Sequence, residues 1–101
     1  AKAPYAGGEL LTKPFTFSGD RLVLNFATGA AGDVRVELQG ANGEPLPGYS
    51  LDASRELVGN YIEREVSWRD GPDVSKLAGR TVRLRFAMKD ADLFSFRFRG
   101  Q

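Results

Sequence analysis

The sequence predicts an all-β domain, an antiparallel β-sandwich of jelly-roll-like form with about eight strands. Apolar and polar residues alternate in run after run, the period of a half-buried strand. Turn residues recur at intervals of roughly 8–12 positions, and no stretch sustains the period of a helix. The clearest alternation lies near the C-terminal end. There Val82, Leu84, Phe86 and Met88 interleave with Thr81, Arg83, Arg85 and Ala87, and Phe94, Phe96 and Phe98 with Ser95, Arg97 and Arg99. These runs read as two strands joined by a short turn over residues 89–92. Three phenylalanines on one face need an opposing layer, which the rest of the chain has to supply.

In chain order, residues 1–8 are small, Pro- and Gly-containing and unpatterned, a lead-in or linker ahead of one domain over residues 9–101. Leu10, Leu11, Phe15 and Phe17 surround Pro14, and proline cannot donate to a ladder, so this is an edge or broken strand. After the Ser18-Gly19-Asp20 turn, Leu22, Leu24 and Phe26 share one face, with Val23, Asn25 and Ala27 on the other. Residues 29–32 break the chain. Val34, Val36 and Leu38 then point inward, with Arg35, Glu37 and Gln39 outward. Asn42-Gly43 signals a tight turn, and residues 50–60 keep no period and read as an irregular crossover. Residues 61–68 return to strand, placing Ile62, Val66 and Trp68 inward. Residues 73–77 form a single helical or 3₁₀ turn capped by Asp73 or Ser75. The expected core is Leu22, Leu24, Phe26, Val34, Val36, Leu38, Val66, Trp68, Val82, Leu84, Phe86, Phe94, Phe96 and Phe98.

Composition narrows the chemistry. The 101 residues include no cysteine and no histidine, which excludes disulfides and thiol catalysis and removes the commonest general base and metal ligand. The net charge of +1 provides no global field for nucleic acid or an anionic membrane, and neither is expected as a partner. The charge is uneven, however. Residues 1–79 hold 8 basic against 11 acidic side chains, and residues 80–101 hold 6 against 2. Starting at Ala1 without an initiator Met, the sequence reads as a processed or excised piece of a longer chain.

Few residues carry a chemical signature. Glu63 and Glu65 sit two apart on a strand, so their carboxylates project from one face at ~7 Å, near the separation of glycosidase acid and base pairs. The alternative is that they balance Arg83 and Arg85 or Arg97 and Arg99 across neighbouring strands. With no nucleophile set beside a base, the expectation is a domain that is not an enzyme. Asp90 and Asp92, like Asp70 and Asp73, place paired carboxylates in turns where calcium could bind, and no other cofactor is expected. Tyr49, Tyr61 and Trp68 offer flat aromatic faces of the kind that stack on sugar rings, and Arg83 and Arg85 offer forked donors for carboxylate or sulfate groups. For Trp68 a place in the core competes with that role.

Three segments carry a resemblance. Gly8-Glu9-Leu10-Leu11-Thr12-Lys13-Pro14-Phe15 is the first. Val66-Ser67-Trp68 followed by Asp73-Val74-Ser75-Lys76-Leu77-Ala78-Gly79-Arg80 is the second. Val82-Arg83-Leu84-Arg85-Phe86 with Lys89-Asp90-Ala91-Asp92-Leu93-Phe94-Ser95-Phe96 is the third. Together they resemble the C-terminal β-sandwich accessory domain of secreted bacterial proteins related to five-bladed-propeller glycoside hydrolases. The resemblance implies an extracellular or periplasmic module beside sugar-acting machinery. The expected function is non-catalytic binding of a polysaccharide or oligosaccharide; the resemblance designates no contact residues, and Tyr49, Tyr61, Trp68, Arg83 and Arg85 are candidates from their own chemistry. The alternatives are a structural domain docked against the neighbouring propeller in the same chain, and a small glycosidase using Glu63 and Glu65.

Overall fold

The computed structural model describes residues 7–100 in full and the backbone of Lys2 and Ala3. The strands are β1 (Lys2–Ala3), β2 (Gly8–Leu11), β3 (Arg21–Gly40), β4 (Asn60–Glu65) and β5 (Val82–Arg99), with one 3₁₀ turn at Ser75–Leu77. Every pairing is antiparallel, in the order β1-β5-β3-β4, and β2 also pairs with β5. The protein is therefore all-β with an antiparallel sheet and almost no helix.

The described strands number five, in one hydrogen-bonded sheet, where the alternation predicts about eight. Two fusions account for much of the difference. Residues 29–32 do not break the chain: β3 runs through them, and Thr28 pairs with Ala91 while Asp33 pairs with Lys89. Nor is there a turn at residues 89–92, because β5 continues there with Asp90 at φ 45°. Four residues of β3 thus lie opposite one residue of β5, a large bulge that bends both strands at one level. The consequence can be measured on β5. Phe86 and Phe96 would stand about 33 Å apart on a straight strand rising roughly 3.3 Å per residue, yet their ring centroids are 5.6 Å apart. The long β3/β5 ribbon folds back on itself and encloses the core between its halves.

That core joins Leu22, Leu24 and Phe26 from one half of β3 to Val34, Val36 and Leu38 from the other, with Val82, Leu84, Phe86 and Met88 of β5. The segment between β3 and β4 supplies Leu46, Tyr49 and Leu57, and Leu77 and Val74 close one end. Residues 45–57 do more than cross over. Leu38 N–H donates to the Tyr49 carbonyl, Leu46 N–H to the Leu38 carbonyl, and Val34 and Leu57 exchange both bonds, so this segment pairs along the second half of β3.

Several expected positions change with this arrangement. Glu37 and Gln39 do not face solvent but are buried: Leu51 N–H donates to the Glu37 carboxylate, and Gln39 is bridged by Pro45. Ile62 is 81% exposed rather than inward, because Glu63 adopts φ 63° and the β3/β4 register shifts between Leu24 and Phe26. Phe94 is 57% exposed: the register steps from Asn25↔Ser95 to Phe26↔Leu93 and leaves it as the extra residue of a second bulge. Phe96 is exposed as well, and Phe98 is half-buried, stacked on Phe17 at 3.9 Å. The last three phenylalanines of the expected core thus lie at its margin or outside it.

Candidate functional site

Of the two polar-handled aromatics in the loops, both turn out to be structural at their ring faces. Trp68 is 1% exposed, and its Nε1–H donates to the Val36 carbonyl at 2.9 Å. Tyr49 is 6% exposed and meets Trp68 edge-on at 5.2 Å. Its hydroxyl donates to the Asp73 carbonyl at 2.9 Å. Burial, and then the carboxylates of Asp73 and Asp70, push the Tyr49 phenol above its ordinary pKa, so it stays a neutral donor. Trp68 thus sits in the core, the place its shared face with Val66 predicts, and Tyr49 leaves only a small part of its ring exposed.

The cleft above Tyr49 is nevertheless polar and concave. Pro47, Gly48, Tyr49, Asp70, Gly71, Asp73 and Lys76 enclose about 410 Å³, within the 300–1,000 Å³ typical of small-ligand sites. Local chemistry fixes its walls. Trp68 and Gly71 exchange backbone bonds and close the turn that presents Asp70. Asp73 accepts from Ser75 N–H at 3.0 Å and Ser75 Oγ–H at 3.1 Å, an Asx turn leading into the 3₁₀ turn, whose N-cap is Val74 rather than the expected Asp73 or Ser75. Those two bonds hold its carboxyl below the ordinary aspartate value, with Arg21 adding a smaller pull. Lys76 Nζ lies 5.7 Å from the centroid of the Tyr49 ring. The cleft thus sets carboxylate acceptors and an ammonium donor around an aromatic floor.

The other expected site residues are not brought to this cleft. Tyr61 sits on edge strand β4, packed on Phe26 at 5.8 Å and covered by the Arg64 guanidinium at 4.7 Å. Arg85 binds Glu9 at 2.6 Å and Glu37 at 3.4 Å. That contact lowers the Glu9 pKa and raises that of Arg85. Arg83 is half-buried opposite Gln39, its Nε without a hydrogen-bond partner. Glu63 pairs with Arg97 and Glu65 with Arg99, spanning β3 at Val23, which is buried beneath them. The carboxylates therefore balance arginines across the sheet. Asp90 and Asp92 lie on β5 rather than in a turn, and no group of three or more Asp or Glu suited to a metal ion occurs among the described residues.

Two more depressions open on the surface. Gly7, Gly8, Glu9, Asp33, Arg35, Ala87, Met88 and Lys89 border one of about 440 Å³, and residues 52–56 with Arg35 and Arg69 border one of about 400 Å³. Arg55, Arg69 and Lys76 escape the sequence reading because residues 50–60 show no period and Lys76 looks like a plain surface residue of the 3₁₀ turn. Comparison with protein-family models, curated proteins and solved structures finds no match.

Proposed function

We propose that this chain is a non-catalytic carbohydrate-binding module, a sandwich-like domain formed by the folded β3/β5 ribbon. The observation that carries the reading is the 410 Å³ cleft, where Asp70 and Lys76 stand as acceptor and donor around Tyr49. A sugar ring presents hydroxyls that both donate and accept, and a shallow cleft with both kinds of partner suits it. Affinity is weak, since few groups are engaged after ordering costs. Catalysis by Glu63 and Glu65 is disfavoured because each carboxylate is held by an arginine. The setting, a secreted polysaccharide-degrading bacterial protein with a propeller beside this module, rests on the residues quoted for that resemblance.

Affinity gel electrophoresis against a panel of polysaccharides tests the reading. Because Tyr49 supports Trp68, the cleft is probed at its rim. Asp70→Asn and Lys76→Ala each weaken retention about tenfold, the loss of one charge-assisted hydrogen bond. Unchanged retention in both variants refutes the site.

Docking against a neighbouring domain is the second reading, favoured by one feature. No described strand pairs with the outer edge of β5 beyond Asp92, and Phe94 and Phe96 are exposed there. An open edge beside exposed apolar groups suits strand addition or packing.

A further inference from the structure

The depression of about 400 Å³ lined by Arg35, Asp52, Ala53, Ser54, Arg55, Glu56 and Arg69 differs from the charge-matched arginine surfaces of the sheet. On β5 and its neighbours the guanidinium groups of Arg21, Arg85, Arg97 and Arg99 are each matched by a carboxylate. In this depression Arg35 is matched too, by Glu56 at 2.8 Å. Arg55 and Arg69 are exposed and have no ion pair or side-chain hydrogen bond among the described residues. With Glu56 engaged, Asp52 is the one carboxylate on the wall left to oppose them.

The backbone holds these two arginines on one face. Ser54 and Trp68 form an antiparallel bridge, flanked by bonds from Arg55 N–H to the Ser67 carbonyl at 3.0 Å and from Arg69 N–H to the Ala53 carbonyl at 2.8 Å. Alternate residues of such a ladder face opposite sides. Ser54 and Trp68 are buried, so Arg55 and Arg69 project outward as a diagonal pair, with Cα atoms roughly 7–8 Å apart. Two planar guanidinium forks at that spacing can bracket one oxyanion, each with two parallel N–H groups. The depression also adjoins the Tyr49 cleft: Arg69 lines one, and Asp70 and Gly71 of the same turn line the other.

From this placement we infer that Arg55 and Arg69 form an anion subsite, and that the glycan bound by the module is acidic, carrying a carboxylate or sulfate group on the unit next to the one held in the cleft. This rests on the carbohydrate-binding reading and names its ligand class. The chemistry shared by a uronate and a sulfate ester is an exposed oxyanion on a sugar ring, and both arms enter the test.

The whole domain is assayed on polygalacturonate, dextran sulfate, neutral dextran and single-stranded DNA, at low and at high salt. Retention is expected on polygalacturonate or dextran sulfate and not on dextran, falling as salt rises. The polymer that is retained identifies the source of the oxyanion. Arg55→Ala and Arg69→Ala each weaken it about tenfold, while Lys13→Ala, which removes an equal charge from another exposed position, changes it less than twofold. Arg55→Lys and Arg69→Lys keep the charge but lose the fork, so they retain part of the affinity, and they decide the matter if an alanine variant fails to fold. Retention on dextran alone, unchanged in all four arginine variants, overturns the acidic-ligand inference and leaves the glycan reading standing. No retention on any polysaccharide overturns both. Arginine-dependent retention on single-stranded DNA equal to that on the acidic polymers overturns the assignment to sugar.

Discussion

Glu37 is the side chain on which three parts of the fold converge. It is 3% exposed, accepts from Gln39 Nε2 at 2.8 Å and Leu51 N–H at 3.2 Å, and faces Arg85 at 3.4 Å. Strands β3 and β5 and the crossover are thereby tied at one carboxylate. A buried donor left without its acceptor costs about 1–3 kcal/mol. Glu37→Ala is accordingly expected to lower stability by about 2 kcal/mol, a fall of roughly 8–16 °C in Tm for a domain of this size. Glu37→Gln costs less. The new amide oxygen still serves Leu51, and the Gln39 amide can turn its unpartnered Oε1 toward the new donor. Thermal melting of both variants checks this, and a Glu37→Ala loss below about 0.5 kcal/mol, the ordinary range for a surface change, contradicts it. The burial of Glu37 is invisible in the sequence, because strict alternation marks it as outward. What covers it is the aperiodic segment 45–57, whose path no local pattern specifies.

Among the elements, the β3/β5 bulge controls the shape of the ribbon. A Cβ on Gly32 would lie 2.3 Å from the Asp90 carbonyl oxygen and 2.5 Å from that of Lys89, whereas one on Gly29 would meet the Asp90 carboxylate at 1.9 Å. Gly32 faces backbone and Gly29 faces the end of a side chain, which can swing away. Gly32→Ala is therefore expected to cost about 1–3 kcal/mol by overpacking, and Gly29→Ala clearly less. Chemical denaturation of the two variants gives the comparison, and equal midpoints contradict the bend described here. The strands on either side of this bulge are legible in the sequence, since Leu22, Leu24 and Phe26, then Val34, Val36 and Leu38, keep their period and are all buried. The fusion is not. Glycines at 29 and 32 and the charged Lys89, Asp90 and Asp92 look like turns, and only long-range pairing turns them into one continuous bent ribbon. The same two-bulge geometry explains why Phe94 leaves the core that its alternation with Ser95 and Arg97 predicts.

At the scale of the whole molecule, charge and shape divide the surface into three regions. One face carries arginines neutralised across the sheet by Glu63 and Glu65. The outer edge of β5 beyond Asp92 presents Phe94 and Phe96. The loop end gathers the Tyr49 cleft and the Arg55–Arg69 depression around the turn at residues 69–71. The sequence marks Tyr49 as a residue of interest but not its role, since the ring is a buried floor and the polar groups of the rim come from a turn distant in the chain. The proposed glycan site and the docking reading occupy different regions, so one experiment separates them. A two-dimensional ¹H–¹⁵N correlation spectrum, recorded while acidic oligosaccharides are titrated into the uniformly labelled domain, reports each backbone amide independently. Binding at the proposed site shifts amides at positions 48–49, 53–55 and 69–76 and leaves those of residues 94–98 and 61–63 in place. Shifts confined to residues 94–98, or a spectrum unchanged at millimolar sugar, contradict the account.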